Sequence, residues 1–224
     1  MGRRRRNRSR QFNTLGREAE QSMDYRLPLD LEALRACIRD GQSFTYLPFY
    51  GHTAQSGRMT NAVYSQFYAV EFQIDGVRYR WAEQWMMAAK ARLFGDQQAL
   101  AAILAANEPL ACKKIGRTVR NYDDGQWSAA RFELVVAGNI GKFGQNQPLR
   151  DHLLGSGDAI LVEAAPRDRI WGIGFGRDNA AVNDPLRWRG RNLLGFALVK
   201  VRAVLRGELV APKILGDVAQ RAPQ

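Results

Sequence analysis

The stretch EQWMMAAK, residues 83–90, carries one carboxylate and one amine, Glu83 and Lys90, in an otherwise largely apolar run. Two helical turns take about 7.2 residues, so positions seven apart return to one face. Glu83 and Lys90 therefore share a stripe among Trp85, Met86, Met87 and two alanines. Spacing alone fits a solvent-facing stripe of an amphipathic helix, or an acid and an amine turned into a pocket. Three other segments are richer in glycine, tryptophan and charge than a plain core requires. KKIGR (113–117) is a glycine turn ending in Arg117, which by itself reads as basic residues beside the negative end of a helix dipole. VEAAPRDRIWGIG (162–174) sets Glu163 and Asp168 on either side of a proline turn, ahead of Trp171 and Gly172, where backbone can approach a ligand closely. WRGRNLLG (188–195) places Trp188 and Asn192 around a glycine bend, with Asn192 also suited to cap the following helix.

Several chemistries are excluded. GIGFG lacks the GxGxxG spacing and the strand-to-helix context of a dinucleotide loop. His52 falls in a loop and His152 on a surface-like helix, which leaves no credible Ser-His-Asp arrangement. Two scattered histidines and the unpaired Cys37 and Cys112 argue against a zinc site. What remains is carboxylates, one well-placed lysine and tryptophans whose flat faces can stack a heterocycle. That set suits cleavage of a sugar–base bond, where carboxylates stabilise an oxocarbenium-like transition state and an acid assists departure of the base.

The elements that must position these residues are mostly helical. Asp30 caps LEALRACIRD, whose apolar stripe includes Cys37 as a small filler. SFTYLPFYG reads as an edge strand because of Pro48, and residues 51–62 as a loop. YSQFYAVEFQIDGVRYRW alternates as two strands about Asp75-Gly76 and delivers the chain into the Glu83 helix, which Gly95 ends. Asp96 caps a second helix, Pro109 opens a third, and Asp123 or Asp124 starts a long one with Gly138 as a weak point. Pro148 opens PLRDHLL, AILVEAA is a short strand, RIWGIGFG a strand or extended loop, and NLLGFALVKVRAVLRG a closing helix. The expectation is one compact α+β domain over 30–207, mostly helical with a small antiparallel sheet. Residues 1–29 form an arginine-rich tail and leader, and 208–224 a C-terminal tail.

The 224 residues carry a formal charge of +11, but the six arginines of MGRRRRNRSR supply more than half of it. Such a tail can bind any polyanion by counterion release, so non-specific nucleic-acid contact is expected of residues 1–10. No apolar run is long enough for a membrane span and no apolar segment follows the first arginines as in a secretory signal. The cysteine usage suits a reducing cytoplasm.

In order along the chain, FYAVEFQIDGVRYRWAEQWMMAAKARLFGD, ACKKIGR, GKFGQNQPLRDHLLGSGDAILVEAAPRDRIWGIG and WRGRNLLGFALVKVR resemble the NADAR (YbiA-like) family over roughly residues 45–206. The resemblance implies a compact α+β domain and N-glycosidase activity. The implied substrate is either an early riboflavin-biosynthesis intermediate, from which ribose 5-phosphate is released, or ADP-ribosylated guanine in nucleic acid. An inactive module binding ADP-ribose-like ligands is the alternative. By the same resemblance the catalytic residues are Glu83, Lys90 and Asp168, with Lys90 a candidate Schiff-base nucleophile. Ser65, Gln66, Phe67, Tyr68, Trp127, Asn146, Trp171, Gly172, Trp188 and Asn192 are substrate-contacting candidates, and Lys113 and Arg117 candidates for phosphate. No metal or organic cofactor is implied. Two positions depart from the family pattern: Gln84 stands where histidine is usual, and Gln66 where asparagine is usual. Gln84 cannot titrate near neutrality, so a histidine-assisted proton transfer would be missing.

Overall fold

The computed structural model describes residues 27–53 and 57–213; the arginine tail and the last eleven residues lie outside the described part. Helix α1 (Leu31–Arg39) starts where Asp30 accepts a bond from the Ala33 amide. Strand β1 (Tyr46–Phe49) is followed by a short 3-10 turn (Asn61–Tyr64) and the hairpin β2 (Phe72–Ile74) and β3 (Val77–Tyr79). Asp75 and Gly76 both take positive φ, 50° and 76°, the backbone that a two-residue hairpin turn demands. The alternating pattern thus yields shorter strands than its length suggests, because its first residues close the 3-10 turn instead.

Four helices follow: α2 (Ala82–Leu93), α3 (Gln97–Ala105), α4 (Pro109–Gly116) and α5 (Asp124–Gly144). Asp96 caps α3 through the Ala99 amide, and Asp123 caps α5 through the Gln126 amide. Then come α6 (Gln147–Leu154), β4 (Ile160–Glu163), two 3-10 turns (Ala180–Asn183 and Pro185–Arg187) and α7 (Leu193–Leu205). The RIWGIGFG segment is irregular. No described helix is long and apolar enough to cross a membrane.

The α+β class holds, but only the hairpin is antiparallel. Strands β1 and β4 pair in parallel, with Tyr46 opposite Ile160 and Phe49 opposite Glu163. Helix α7 lies on β4 and against α5, and α2 is enclosed by α3, α4 and α5. Helix α2 is buried almost all round, so its burial rests on neighbours on every side and not on one apolar stripe. Gly138 is no weak point: α5 runs through it, and a Cβ there would stand 2.1 Å from Trp85 Cδ1. The missing side chain lets Trp85 lie on α5, where its indole donates to the Leu134 carbonyl at 2.7 Å. Leu27 and Leu29 pack on the main core, so the folded part begins ahead of α1.

Candidate active site

One cleft of about 240 Å³ gathers residues from six parts of the chain. Helix α2 supplies Glu83, Met86, Met87 and Lys90, and the end of α4 supplies Lys113, Gly116 and Arg117. The turn before the hairpin brings Ser65, Gln66 and Phe67, and α5 brings Trp127. The last residue of β4, Glu163, and the loop after it add Asp168, Ile170 and Trp171, with Leu194 of α7.

The Ser65–Phe67 wall is pinned from behind. The fully buried Lys142 donates to the Val63 and Ser65 carbonyls at 2.6 and 2.7 Å. Burial pulls its pKa down to about 7. Gln66 donates from Nε2 to Asn139 Oδ1 at 3.1 Å, and its carbonyl accepts from the Glu83 amide at 3.0 Å. The turn and the start of α2 are therefore one unit. Opposite, Asn192 holds β4: its Oδ1 accepts from the Glu163 amide and its Nδ2 donates to the Leu161 carbonyl, both at 2.9 Å.

Glu83 is 2 % exposed, and its Oε1 has no hydrogen-bond partner among the described residues. Burial pushes its pKa up to about 7; Lys113 pulls against this, Asp168 adds to it, and Arg117 opposes. Glu163 keeps part of its surface open, but its Oε2 is sealed from solvent and unpartnered. Burial, with the Asp168 charge next, pushes its pKa up to about 8, while Lys113 pulls down and Glu83 pushes up. Asp168 accepts two backbone amides on Oδ1, from Ile170 and Trp171, each at 2.8 Å. Two glutamates with raised pKa values and an aspartate anchored by the backbone thus face each other's charge in one cleft. Lys90 donates to the Gly116 carbonyl at 2.8 Å and sits 4.2 Å from the Tyr122 ring centroid and 5.6 Å from that of Trp127. Partial burial lowers its pKa, with Asp124 opposing. No group of three or more histidine, cysteine or acidic residues is arranged to hold a metal among the described residues.

The sequence candidates divide. Glu83, Lys90, Asp168, Ser65, Gln66, Phe67, Lys113, Arg117, Trp127 and Trp171 line the cleft; Tyr68, Asn146, Gly172, Trp188 and Asn192 do not. Tyr68 is half-buried, with its ring 5.7 Å from Lys142 Nζ. Asn146 ties α6 to its surroundings through the Glu71 and Lys142 carbonyls. Gly172 permits close packing, since a Cβ would meet the Glu163 carbonyl oxygen and Ala165 Cβ at 2.9 Å. Trp188 is buried in a second core cluster, donating to the Ala181 and Val182 carbonyls. Asn192 stands at the start of α7 with φ 53° but makes no side-chain cap; its amide serves β4 instead. Glu163 is the cleft acid missing from the sequence candidates. Its only signal was its place beside the proline turn that carries Asp168. Gln84 points away from the cleft: Oε1 accepts from the Arg80 amide and Nε2 donates to the Ile103 and Leu104 carbonyls.

Three carboxylates, three cations and two indoles line this small space. The NADAR domain family matches residues 48–206, and this chain belongs to that family. It is 38% identical over 156 residues to "N-glycosidase R617" of Acanthamoeba polyphaga mimivirus, covering 67% of this chain and 92% of that protein. It is 27% identical over 158 residues to "Riboflavin biosynthesis protein VVA0006" of Vibrio vulnificus, covering 70% of this chain but 38% of that one. The fold is similar to the NMR structure of the Escherichia coli protein YbiA, with a TM-score of 0.60 and 24% identity over 75% of this chain and 88% of that chain.

Proposed function

We propose that the chain is an N-glycosidase that hydrolyses the bond between ribose C1′ and a base nitrogen. The observation that carries this reading is the convergence of Glu83, Glu163 and Asp168 in one cleft beside Lys113 and Arg117. Glu163, protonated at neutral pH, gives its proton to the departing base as the C1′–N bond breaks. Glu83, ionised in part near pH 7, takes a proton from the water that adds to C1′. Asp168 faces the oxocarbenium charge, its position fixed by two amide donors. Trp127 and Trp171 offer faces for the base, and Lys113 and Arg117 charge-assisted bonds for a phosphate.

Lys90 fits an electrostatic role better than the Schiff-base role expected of it. Its Nζ is engaged by the Gly116 carbonyl and the Tyr122 ring, which favour the ammonium form that cannot attack an aldehyde, against the partial burial that lowers its pKa. Of the two departures behind the inactive-module reading, Gln84 is a structural residue outside the cleft, whereas Gln66 lines it with its Nε2 held by Asn139.

The substrate is a phosphoribosyl or ADP-ribosyl compound: an early riboflavin-biosynthesis intermediate or ADP-ribosylated guanine. A cleft of about 240 Å³ lies below the roughly 300 Å³ at which pockets begin to enclose drug-sized ligands, which suits the ribosyl–base unit that both compounds share. The free thiols of Cys37 and Cys112 suit the cytoplasm, and residues 1–10 would add salt-sensitive contact with nucleic acid. The test is a product assay of the full chain on an aminopyrimidine ribosylamine phosphate and on ADP-ribosylated guanosine in DNA. Release of base and sugar phosphate from either supports the reading. Tight binding of both with no release from either makes the chain a binding module.

A further inference from the structure

A second concavity, of about 570 Å³, opens beside the active cleft between the β1 end and the loop that leads into the Asn61–Tyr64 turn. Both histidines of the protein, His52 and His152, line it, together with Arg58, Arg177, Thr60 and Asn61. No carboxylate is in its lining among the described residues. Arg78, Arg120 and Arg206 elsewhere on the surface pair with acids, whereas Arg58 and Arg177 are exposed and make no ion pair among the described residues. Two side chains of its wall are also held in place. Asn61 gives its Nδ2 hydrogen to the Pro48 carbonyl, which turns Oδ1 to His152 Nε2 at 3.1 Å and fixes that ring. The Tyr64 hydroxyl donates to the His152 carbonyl from the core side.

The two concavities share a wall. The His52 ring lies 5.5 Å from that of Phe67, and Phe67 lines the active cleft. The active cleft is too small for a dinucleotide-sized ligand, so anything attached to the reacting ribosyl–base unit must leave it. Across Phe67 it enters a groove rich in cationic and neutral donors. We propose that this groove binds phosphate oxyanions of a substrate larger than the unit held in the cleft. Guanidinium forks match phosphate oxygens, and the His52 imidazole and the Thr60 hydroxyl complete the donor set. The proposal takes from the N-glycosidase reading only the identity of what fills the neighbouring cleft.

Because the protein has only two histidines and both line this groove, their ring signals in ¹H–¹³C NMR report on it, and His152, which does not touch the wall shared through Phe67, reports on it most directly. The full chain would be titrated with ribose 5-phosphate, ADP-ribose and the dinucleotide pTpT. Ribose 5-phosphate, held in the active cleft, should leave the His152 ring unmoved. ADP-ribose, pTpT or both should shift it saturably, the first alone marking a phosphoanhydride and the second alone a phosphodiester. The exposed pair Arg58→Ala/Arg177→Ala should weaken that binding at least about tenfold, the scale of losing a charged hydrogen bond, with the fold unchanged by circular dichroism. Ring signals that stay still with both larger probes, or an affinity indifferent to the double substitution, would overturn the proposal. A protein that releases no base yet shows arginine-dependent histidine shifts keeps the groove and loses the glycosidase.

Discussion

Asp96 and Glu83 are both acids buried near a helix N-terminus, one 4 % and the other 2 % exposed, and they have opposite surroundings. Asp96 accepts the Ala99 amide, the Arg120 amide and the Arg120 guanidinium. The Arg120 side chain, first among these, holds its carboxyl well below the usual carboxylate range. Glu83 has an unpartnered Oε1, and burial holds its carboxyl well above that range. The first acid is satisfied by the protein and ties the start of α3 to the loop between α4 and α5. The second lines the cleft with an oxygen that no described residue satisfies. Burial of an acid therefore does not mark a site; burial without protein partners does.

Glu83→Gln is the strongest way to break this contrast. It keeps shape and hydrogen bonding but removes the ionisable group, and kcat should fall by at least ~100-fold, the scale of an acid–base residue. Stability should not fall with it. Between about pH 4.5 and 7 the folded protein keeps a proton on Glu83 that the unfolded chain has lost, so Glu83 makes stability decline as pH rises through that window. Thermal melts of Glu83→Gln should lack that part of the decline. A melting temperature at pH 8 well below wild type would move Glu83 into the structural class with Asp96.

Asp96→Ala should show the reverse pattern, with a melting temperature lower by several degrees and kcat of the folded protein within a few-fold of wild type. Its stabilisation is full above the ordinary aspartate pKa of 3.8 and fades as pH falls below it, so the deficit should shrink in acid. A variant that melts like wild type but loses turnover would deny the distinction.

Lys90→Arg separates a charge from a nucleophile. A guanidinium keeps the charge facing Tyr122 and Trp127, so activity should stay within about tenfold and borohydride during turnover should trap no sugar adduct on the wild-type lysine. An inactive arginine variant together with a trapped adduct would restore the Schiff base. The smallest effect belongs to the tail. Deleting residues 1–10 removes six arginines and should leave turnover of a small substrate unchanged while flattening the salt dependence of nucleic-acid binding.

Local chemistry was the legible part of this sequence. The caps at Asp30, Asp96 and Asp123, the prolines that open α4 and α6, and the Asp75-Gly76 turn each act through neighbours a few residues away. The helical spacing of Glu83 and Lys90 likewise survives as two residues lining one cleft. What stayed hidden depends on segments far apart in the chain. The parallel pairing of β1 with β4 has no local signature, and it is what sets Glu163 at the cleft. Asn192 looks like a helix cap by position, yet β4 competes for its amide and wins. Gly138 looks like a break until Trp85 arrives from α2 to fill the space. Gln84 matters to α3 and not to the chemistry, because helix α2 turns it towards the Ile103 and Leu104 carbonyls.

The pH dependence of kcat tests the central claim most directly. If Glu83 must be ionised and Glu163 protonated, turnover should rise through about pH 7 and fall through about pH 8, with the two limbs belonging to the coupled pair. Glu163→Gln should abolish the alkaline limb in whatever activity remains. A profile that is flat from pH 5 to 9 and unchanged by Glu163→Gln would contradict the assignment of proton transfer to these two buried glutamates.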